Sequence, residues 1–437
     1  MGSYIPSTQT QRDEMLSTLG MKSMDELYAD VPDSMRLSRL NLPEGMSEAQ
    51  LLRTMRELAG QNRIFGSCFR GAGAYNHYIP SIVKRVTAKE EFVTAYTPYQ
   101  AEISQGILQS IFEYQTMICE LTGMNASNAS VYDGATAAAE ATAICRDRKR
   151  SRTLISAAAH PDVIRTVRTY CHGANAPVEL VPMKDGITDL DALRSMLCDT
   201  DACFYFAQPS FFGGIEDADA IVELVHNAGA KVIMGVNPIA TVLLKTPGEC
   251  GADIAVGDGQ PLGMPLSFGG PYLGFMAATA ELTRKLPGRI VGETTDNRGN
   301  RCYVLTLQAR EQHIRREKAS SNICSNQALC AMTAAVYMAA MGPAGMHNVA
   351  QQCYDKAHYL AAELAKVKGF TPLYQGEFFH EFVSACPVPA ETLLARLEAE
   401  GILGGLPVEG GILWCATEQN TKADIDRVVA IAKEVST

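Results

Sequence analysis

The sequence lacks the features that mark several common classes of protein. Basic residues do not predominate, because 38 lysines and arginines stand against 48 aspartates and glutamates. The resulting net charge of -10 argues against nucleic acid as the main partner. None of the 13 cysteines belongs to a Cys-x-x-Cys pair, and no cysteine–histidine cluster has zinc-finger spacing. We therefore predict neither a nucleic-acid partner nor a metal site.

Targeting and membrane signals are also missing. The N-terminus has no basic stretch followed by an apolar core, so we expect no signal peptide. No apolar run in the sequence looks long enough to span a bilayer. Scattered thiols with irregular spacing are typical of a reducing compartment. These observations predict a cytoplasmic protein that does not bind a membrane.

Strand and helix patterns alternate through the middle of the chain. Apolar runs predict strands at Thr153–Ser156, Ala202–Ala207 and Lys231–Val236. Helical patterns follow Pro161 and cover Ala218–Asn227. This alternation predicts an α/β fold with a mostly parallel central sheet and helices on both faces.

The chain length of 437 residues is too great for one hydrophobic core, so several structural units are expected. We predict a helical arm over 1–60, a large α/β domain over 61–310, and a linker helix with a smaller α+β domain over 311–437. The linker helix is predicted at Asn326–Met341, before Gly342 and Pro343, and the single tryptophan, Trp414, is expected in the core of the smaller domain.

Three loops leave the carboxyl ends of the predicted parallel strands, where such sheets bind their ligands. The first loop holds His160, the second holds Gln208-Pro209-Ser210, and the third holds Asn237. A pyridoxal phosphate (PLP) site needs a group that stacks on the cofactor ring, and His160 could serve. It also needs a carboxylate that keeps the pyridine nitrogen protonated. The third loop offers Asn237 instead, whose amide cannot stabilise a pyridinium by charge.

The stretch from Ala252 to Gly274 predicts a strand, a loop rich in glycine and proline, and a second strand. In a PLP enzyme of the aspartate-aminotransferase type, the Schiff-base lysine lies in this connection. The chain has Gln260 at that position, and a carboxamide cannot form an imine with an aldehyde. We therefore predict a PLP-type pocket that cannot hold the cofactor covalently.

Two further segments are candidates for function. Asp133 and Gly134 open an alanine-rich helix whose free N–H groups could hold a phosphate, although small residues also serve tight helix packing. The loop from Tyr96 to Tyr99 precedes a helix predicted at Ile103–Leu121, with Ile103 on its buried face. Tyrosines are favoured at subunit interfaces, and they also occur at active-site rims. The sequence leaves these two roles of the loop open.

Several long motifs resemble those of a known family. In the first half of the chain they are Tyr96-Thr-Pro-Tyr99-Gln-Ala-Glu102-Ile-Ser-Gln-Gly106, Asn128-Ala-Ser130 and Asp133-Gly-Ala-Thr-Ala-Ala-Ala-Glu140. Further along they are Pro287-Gly-Arg-Ile-Val-Gly-Glu293 and Gln308-Ala-Arg-Glu-Gln-His-Ile-Arg-Arg-Glu-Lys-Ala-Ser-Ser-Asn-Ile-Cys324. Together they resemble the amino-terminal half of the glycine cleavage system P-protein, over nearly the whole chain. In some bacteria this protein is split in two, and the chain is similar to the first of the two subunits.

The resemblance implies a fold, an activity and partners. The fold is PLP-dependent transferase fold type I, with a mostly parallel central sheet and a smaller α+β C-terminal domain. The activity is glycine decarboxylation, in which PLP holds glycine, carbon dioxide leaves, and the aminomethyl group passes to the lipoyl arm of the H-protein. The family's lysine belongs to glycine decarboxylase subunit 2. The implied partners are therefore that PLP-bearing subunit, in an α2β2 assembly, and the lipoylated H-protein.

The resemblance also implies what this chain contributes to the pair. Gln260 occupies the vacated lysine position of a degenerate pocket, whose other members are Asp133, Gly134, His160 and Asn237. In aminotransferase-like dimers each active site borrows residues from the neighbouring subunit. The residues that this chain would lend come from the tyrosine loop and are Tyr96, Tyr99, Gln100 and Glu102.

Other functions remain open at the level of sequence. The chain could be a self-sufficient homodimeric PLP enzyme that uses another lysine, although neither Lys231 nor Lys245 is flanked like a Schiff-base lysine. It could also be a non-catalytic scaffold or regulator derived from a PLP enzyme. The arginine-rich stretch 287–327 could be a solvated surface or an electropositive rim for a subunit or an acidic carrier protein.

Overall fold

The computed structural model describes residues 6–37, 40–94, 98–319 and 321–436. Tyr96 lies outside the described residues, so the structure places the other three residues predicted to be lent to a partner but not this one. The chain divides into two compact units, residues 1–63 and 64–437.

The N-terminal unit contains two α-helices, α1 (Gln9–Thr18) and α2 (Glu48–Ala59), with 3-10 helices at Met24–Tyr28 and Asp33–Met35. Both α-helices begin with a capping box, in which the side chain before the helix and the side chain of its third residue satisfy each other's backbone N–H groups. The α2 helix carries an apolar stripe of Leu51, Met55 and Leu58, each about half exposed.

The larger unit begins with short elements and continues as an alternation of strands and helices. Its α-helices are α3 (Ser81–Thr87), α4 (Glu90–Val93), α5 (Gln105–Thr122), α6 (Gly134–Cys145), α7 (Pro161–Gly173), α8 (Leu190–Met196), α9 (Ala218–Asn227), α10 (Pro247–Cys250), α11 (Gln312–Arg315), α12 (Ala328–Leu364), α13 (Ala390–Ala399) and α14 (Lys422–Val435). Its strands are β1 (Ser67–Cys68), β2 (Ala126–Ser127), β3 (Arg152–Ser156), β4 (Val178–Val181), β5 (Met183–Lys184), β6 (Ile187–Thr188), β7 (Asp201–Gln208), β8 (Lys231–Val236), β9 (Ile254–Asp258), β10 (Gly274–Ala278), β11 (Val291–Thr295), β12 (Arg301–Leu305), β13 (Glu381–Ser384), β14 (Ile402–Leu403), β15 (Leu406–Val408) and β16 (Gly411–Cys415). The 3-10 helices are Ala240–Val242, Ser267–Gly269, Ala280–Lys285, Gln308–Arg310 and Arg316–Lys318.

The central sheet has seven strands in the order β2-β10-β9-β8-β7-β3-β4. The five strands from β9 to β4 pair in parallel, whereas β10 runs antiparallel to both of its neighbours. The mostly parallel α/β sheet predicted from the alternating pattern is therefore confirmed. Because parallel strands end at the same edge, the loops after β3, β7, β8 and β9 emerge side by side.

Each face of the central sheet is covered by helices. In β7 the side chains alternate, so that Phe204 packs towards the core shared with α9 and α12, and Tyr205 packs towards the core shared with α6 and α7. The alanine-rich α6 approaches the sheet closely, because a Cβ on Gly134 would lie 2.8 Å from the backbone nitrogen of Asp258. This close approach brings the first residues of α6 to the end of β9.

The C-terminal part of the larger unit has its own core and sheet. Strands β13, β16 and β15 form an antiparallel sheet that packs with α13 and α14. Trp414 is fully buried in this core, as predicted, and its indole N–H donates to Ser384 Oγ at 3.0 Å. The same core contains Phe69, which follows β1, and β1 pairs with β14.

The long helix α12 changes direction at Gly342, whose φ of 61° and ψ of 174° are not helical. The sequence prediction ended a helix at this point, and the structure continues with a second helical stretch after it. By length and composition alone, α12 is apolar enough to cross a membrane, contrary to the expectation from the sequence. The central helix of a globular core meets the same criterion, and Ala331, Tyr337 and Leu360 of α12 are fully buried in the protein.

The predicted elements agree closely with the structure, with one error next to the tyrosine loop. The bounds of β8 and α9 are those predicted, and the other central strands differ by a few residues. The helix predicted from Ile103 instead begins at Gln105, and Ile103 is 77% exposed. The backbone N–H groups of Ile103 and Ser104 both donate to the carbonyl oxygen of Gln100, so these residues form a turn before the helix.

Candidate functional site

A cavity of about 400 Å³ lies at the carboxyl ends of β3, β7, β8 and β9. Four of the five residues predicted to form the degenerate pocket line it, namely Asp133, Gly134, His160 and Asn237. The fifth, Gln260, is 1% exposed and lies behind the wall of the cavity. The strand-end loops thus bring together side chains from distant parts of the sequence.

Two carboxylates occupy the N-terminus of α6, which faces this cavity. Asp133 Oδ1 accepts the N–H of Thr136 at 2.7 Å, and Asp258 Oδ2 accepts the N–H of Gly134 at 3.1 Å. Asp258 Oδ1 also accepts the N–H of Gln260 at 2.9 Å. Burial raises the pKa of Asp258 to about 6, opposed by these backbone hydrogen bonds and reinforced by Asp133. Two of the amides that could have held a phosphate, those of Gly134 and Thr136, therefore already have partners within the chain.

Gln260 fastens the glycine-rich segment, residues 66–78, to the loop after β9. Its Oε1 accepts the N–H of Tyr75 at 2.8 Å, and its Nε2 donates to the carbonyl oxygens of Tyr75 at 2.9 Å and Met264 at 2.8 Å. A carboxamide can do both because it carries an acceptor and two donors. The residue at the predicted lysine position therefore has a structural role that no lysine side chain could reproduce, since an ammonium group has no acceptor.

His160 and Asn237 are held by backbone groups, of their own loops and, for His160, also of Ala72. His160 Nδ1 accepts the N–H of Asp162 at 3.0 Å, and its Nε2 donates to the carbonyl oxygen of Ala72 at 2.9 Å. Gly73 passes close to one edge of the ring, since an added Cβ would lie 2.8 Å from His160 Nε2. Asn237 Oδ1 accepts the N–H of Ile239 at 2.8 Å, and its buried Nδ2 has no partner among the described residues.

Sequence reasoning missed a group of cavity residues that comes from the C-terminal sheet and the glycine-rich segment. Glu381 begins β13, and its two oxygens accept the N–H of Ala72 at 2.6 Å and the hydroxyl of Tyr75 at 2.8 Å. Burial raises the pKa of Glu381 to about 7. His380 is 2% exposed, and burial, together with nearby His77, holds its pKa well below the ordinary value. The only sign in the sequence is a histidine–glutamate pair at the start of a predicted strand.

These residues do not fit PLP. No lysine or arginine is found among the described residues that line the cavity, so nothing there could form an imine or neutralise a phosphate. The amides of Gly134 and Thr136 are hydrogen-bonded to Asp258 and Asp133, and these two carboxylates would also repel a phosphate. The cavity lies where a PLP pocket would lie, but its lining carries acidic side chains instead of the basic ones that bind a phosphate.

A second cavity, of about 560 Å³, contains Tyr99. The hydroxyl of Tyr99 donates to Asn326 Oδ1, and the guanidinium carbon of Arg289 lies 5.0 Å from the centre of its ring. Burial raises the pKa of Tyr99. Gln100 and Glu102 are exposed beside this cavity and do not line it. The structure thus separates the tyrosine loop from the degenerate pocket, and of the three described residues predicted to be lent to a partner only Tyr99 lines a cavity.

Arginines from the stretch 287–327 extend this second region. Arg289 forms a buried ion pair with Glu311. Arg310 donates through its guanidinium to the carbonyl oxygens of Leu286 and Gly288. Burial, with a contribution from Arg289, lowers the pKa of Arg310 to about 10. This region holds two largely buried guanidinium groups and one carboxylate, and this excess of positive charge favours the binding of an anion.

Comparison with known proteins identifies the family. The family model described as "Glycine cleavage system P-protein" matches residues 2–432. The chain belongs to the glycine cleavage system P-protein family. The resemblance found in the sequence motifs is thereby confirmed over nearly the whole chain.

Curated relatives carry one name within the family. A protein of Moorella thermoacetica named "Probable glycine dehydrogenase (decarboxylating) subunit 1" is 50% identical over 441 residues, which cover 99% of each chain. A protein of the same name from Syntrophomonas wolfei is 48% identical over 432 residues and 98% of each chain. The chain therefore matches these P-protein subunits from end to end.

Solved structures confirm the fold class. The crystal structure of glycine decarboxylase (P-protein) of the glycine cleavage system, in inhibitor-bound form, matches with a TM-score of 0.94 and 41% identity over 99% of this chain and 100% of that chain. A sphingosine-1-phosphate lyase from Burkholderia pseudomallei matches with a TM-score of 0.68 and 14% identity over 93% of each chain. The latter likeness shows the fold alone. The predicted PLP-dependent transferase fold type I is confirmed.

Placing an amine at the predicted lysine position should not produce cofactor binding. We expect Gln260→Lys to remain without bound PLP after incubation and desalting, because the amides of Gly134 and Thr136 stay hydrogen-bonded to Asp258 and Asp133, and no lysine or arginine among the described residues lines the cavity to neutralise a phosphate. The measurements are the visible absorbance of the purified chain and, after borohydride reduction, peptide mass mapping. A reduced PLP adduct on the introduced lysine at one equivalent per chain would contradict this expectation.

The two lysines considered as alternative Schiff-base residues form ion pairs away from the cavity. Lys231 Nζ pairs with Asp253 Oδ1 at 2.8 Å, and Lys245 Nζ pairs with Asp219 Oδ2 at 2.5 Å. Neither residue lines the degenerate pocket of this P-protein family member. The structure therefore gives no support to a self-sufficient PLP enzyme that uses either lysine.

Proposed function

We propose that this chain is the non-PLP subunit of a glycine decarboxylase and works only with a PLP-bearing second subunit. Together they would decarboxylate glycine and transfer the aminomethyl group to the lipoyl arm of the H-protein. The "subunit 1" in the names of its relatives supports the pairing. We also propose an α2β2 assembly and a cytoplasmic location, the latter supported by 13 cysteines that are all free thiols.

The observation that best supports the proposal is that Gln260 is buried and hydrogen-bonded. A family of PLP-dependent glycine decarboxylases requires an amine for its cofactor, and this chain places a buried, fully hydrogen-bonded carboxamide there. The adjoining α6 amides have carboxylate partners as well. Since this cavity is closed to PLP chemistry, a member of this family contributes to turnover through its partner.

The part of this chain that would meet the partner's active site is the Tyr99 cavity. The stacked pair of Tyr99 and Arg289 offers an aromatic ring and a positive charge, and glycine and PLP both carry negative charge. Exposed Gln100 and Glu102 would extend the contact. Tyr96 belongs to the same proposal by its place in the family motif.

Reconstitution tests this function. We expect glycine–bicarbonate exchange from the second subunit to appear only when this chain is added, with the two chains co-eluting on size exclusion. This chain should show no exchange on its own. Full activity of the second subunit without it would contradict the proposal and favour a scaffold or regulator.

The Tyr99 hydroxyl should matter for turnover. We expect the complex with Tyr99→Phe to exchange glycine about tenfold more slowly at unchanged complex stability, a loss typical of one polar contact at a reacting centre. The exchange rate and the melting temperature of the pair are the measurements. Tyr78→Phe, at a residue that is 56% exposed, is the matched control. Wild-type turnover with both Tyr99→Phe and Glu102→Ala would remove the tyrosine loop from the proposal.

A further inference from the structure

The degenerate pocket keeps an open cavity although its cofactor chemistry is gone. Its volume of about 400 Å³ is large enough for a small organic molecule. The acidic residues that line it are Asp133, Asp162, Asp258 and Glu381, and the described lining includes no lysine or arginine. Burial keeps Glu381 partly protonated near neutral pH and Asp162 pairs with Arg165, so Asp133 and Asp258 carry most of the negative charge that favours a cation here.

Aromatic rings form much of the rest of the lining. The aromatic residues that line the cavity are Tyr75, Tyr205, Phe211 and Tyr272. Aromatic faces attract organic cations through the ring quadrupole. Carboxylates combined with aromatic walls are the features that recognise an ammonium group attached to carbon.

A second observation, independent of the carboxylates, points to a ligand. His380 lines the cavity at 2% exposure, and neither of its ring nitrogens has a hydrogen-bond partner among the described residues. Its depressed pKa leaves the imidazole neutral, so one ring nitrogen carries a free lone pair. A buried acceptor without a donor costs free energy, and an N–H of a bound ammonium would satisfy it.

The arrangement does not suit a bare metal ion. Among the described residues, the only group of three potential metal ligands whose ligand atoms lie within 4.8 Å of one another is His77, Cys353 and Glu418. In that group His77 Nδ1 already hydrogen-bonds Glu418 Oε2 at 2.7 Å. The cavity carboxylates do not converge in this way, so they suit a cation with several atoms.

We propose that this cavity binds a small primary ammonium ion, held by Asp133 and Asp258 at the N-terminus of α6, by His380, and by the aromatic walls. This inference goes beyond the proposed function, because it concerns binding by this chain and no turnover. The ammonium could belong to a free amine or to an amino acid. Of the two carboxylates, Asp133 has the freer acceptor, since the helix cap uses only one of its oxygens whereas both oxygens of Asp258 accept backbone N–H groups.

The test uses the full chain and methylammonium chloride, followed by saturation-transfer NMR and by thermal shift. We expect saturable binding with Kd on the order of millimolar, the strength available to a ligand of two non-hydrogen atoms. Methanol, which is neutral and of the same size, should give no saturable binding. Sodium chloride at equal ionic strength should give no saturable thermal shift. Competition by glycine would assign the site to an amino acid, and its absence to a free amine.

Variants separate this site from a general charge effect. Asp133→Asn keeps a good helix cap and removes one charge, and we expect about tenfold weaker binding. The matched control is Asp217→Asn, which makes the same change at the cap of α9, outside the cavity lining. Tyr272→Leu should weaken binding about threefold. Three results would overturn the proposal. One is a thermal shift with sodium chloride equal to that with methylammonium chloride, and another is tighter binding of Mg²⁺ at the same place. The third is unchanged methylammonium binding by folded Asp133→Asn and Tyr272→Leu.

Discussion

Gly213→Ala is expected to destabilise the larger unit by about 4 kcal/mol or more, from backbone strain and overpacking together. Gly213 has a φ of +89°, which disfavours any residue with a Cβ. An added Cβ would also overlap the backbone carbonyl of Glu381, which cannot swing aside as a side chain could. The measurement is the free energy of unfolding from chemical denaturation, or the soluble yield if the variant does not fold.

Gly299→Ala is the matched control for this substitution. Gly299 has a φ of +81°, but an added Cβ would meet nothing within 4 Å. It should lose only the conformational part, about 1 kcal/mol. If the two alanine variants proved equally stable, the contact between the Gly213 loop and β13 would not be as close as the structure shows. That contact also holds His380 and Glu381 at the cavity, since Gly213 accepts the N–H of Phe379 at 3.2 Å.

Glu381→Gln is expected to make the protein more stable at pH 8 by up to about 3 kcal/mol, with little effect near pH 4.5. The pKa of Glu381 is raised from 4.5 to about 7 by burial, so the folded state keeps a proton that the unfolded state has lost. Stability therefore falls as pH rises between these two values. Glutamine removes this loss and keeps the geometry, because its oxygen can accept the Ala72 N–H and its amide can donate to the Tyr75 hydroxyl.

The measurement is the free energy of unfolding at several pH values for wild type and variant. Other raised carboxyl pKa values, such as those of Glu140 and Glu216, both about 7, add to the wild-type slope and remain in the variant. The difference between the two curves isolates Glu381. Glu409→Gln, at an exposed glutamate, should leave the slope unchanged. Parallel curves for wild type and Glu381→Gln would show that Glu381 ionises normally.

Much of the fold could be predicted because its signals are local. The apolar runs of β7 and β8 and the periodicity of α9 are properties of a few consecutive residues. The predicted strand ends then placed His160 and Asn237 at one edge of the sheet. The structure confirms that both residues line one cavity. The tyrosine loop was harder, because the turn before α5 depends on backbone hydrogen bonds to Gln100 that the apolar pattern does not reveal.

The rest of the site could not be predicted because it depends on contacts between distant residues. Asp258 was part of the stretch singled out in the sequence, yet its role at the start of α6 arises only when residues 124 positions apart meet. His380 and Glu381 reach the cavity through the packing of β13 on the loop around Gly213. Sequence reasoning identified Gln260 by what it could not do, whereas the structure shows what it does.

The hydrogen bonds of Gln260 bear on how such a chain can change over evolutionary time. A mutation to lysine at this place would release the backbone of Tyr75 from its support while the amides of Gly134 and Thr136 were still held by Asp258 and Asp133. A single substitution to lysine would therefore bring no gain in cofactor binding, and it would lower the stability of the protein. The amide of Gln260 thus makes a change at this position costly unless its neighbours change with it.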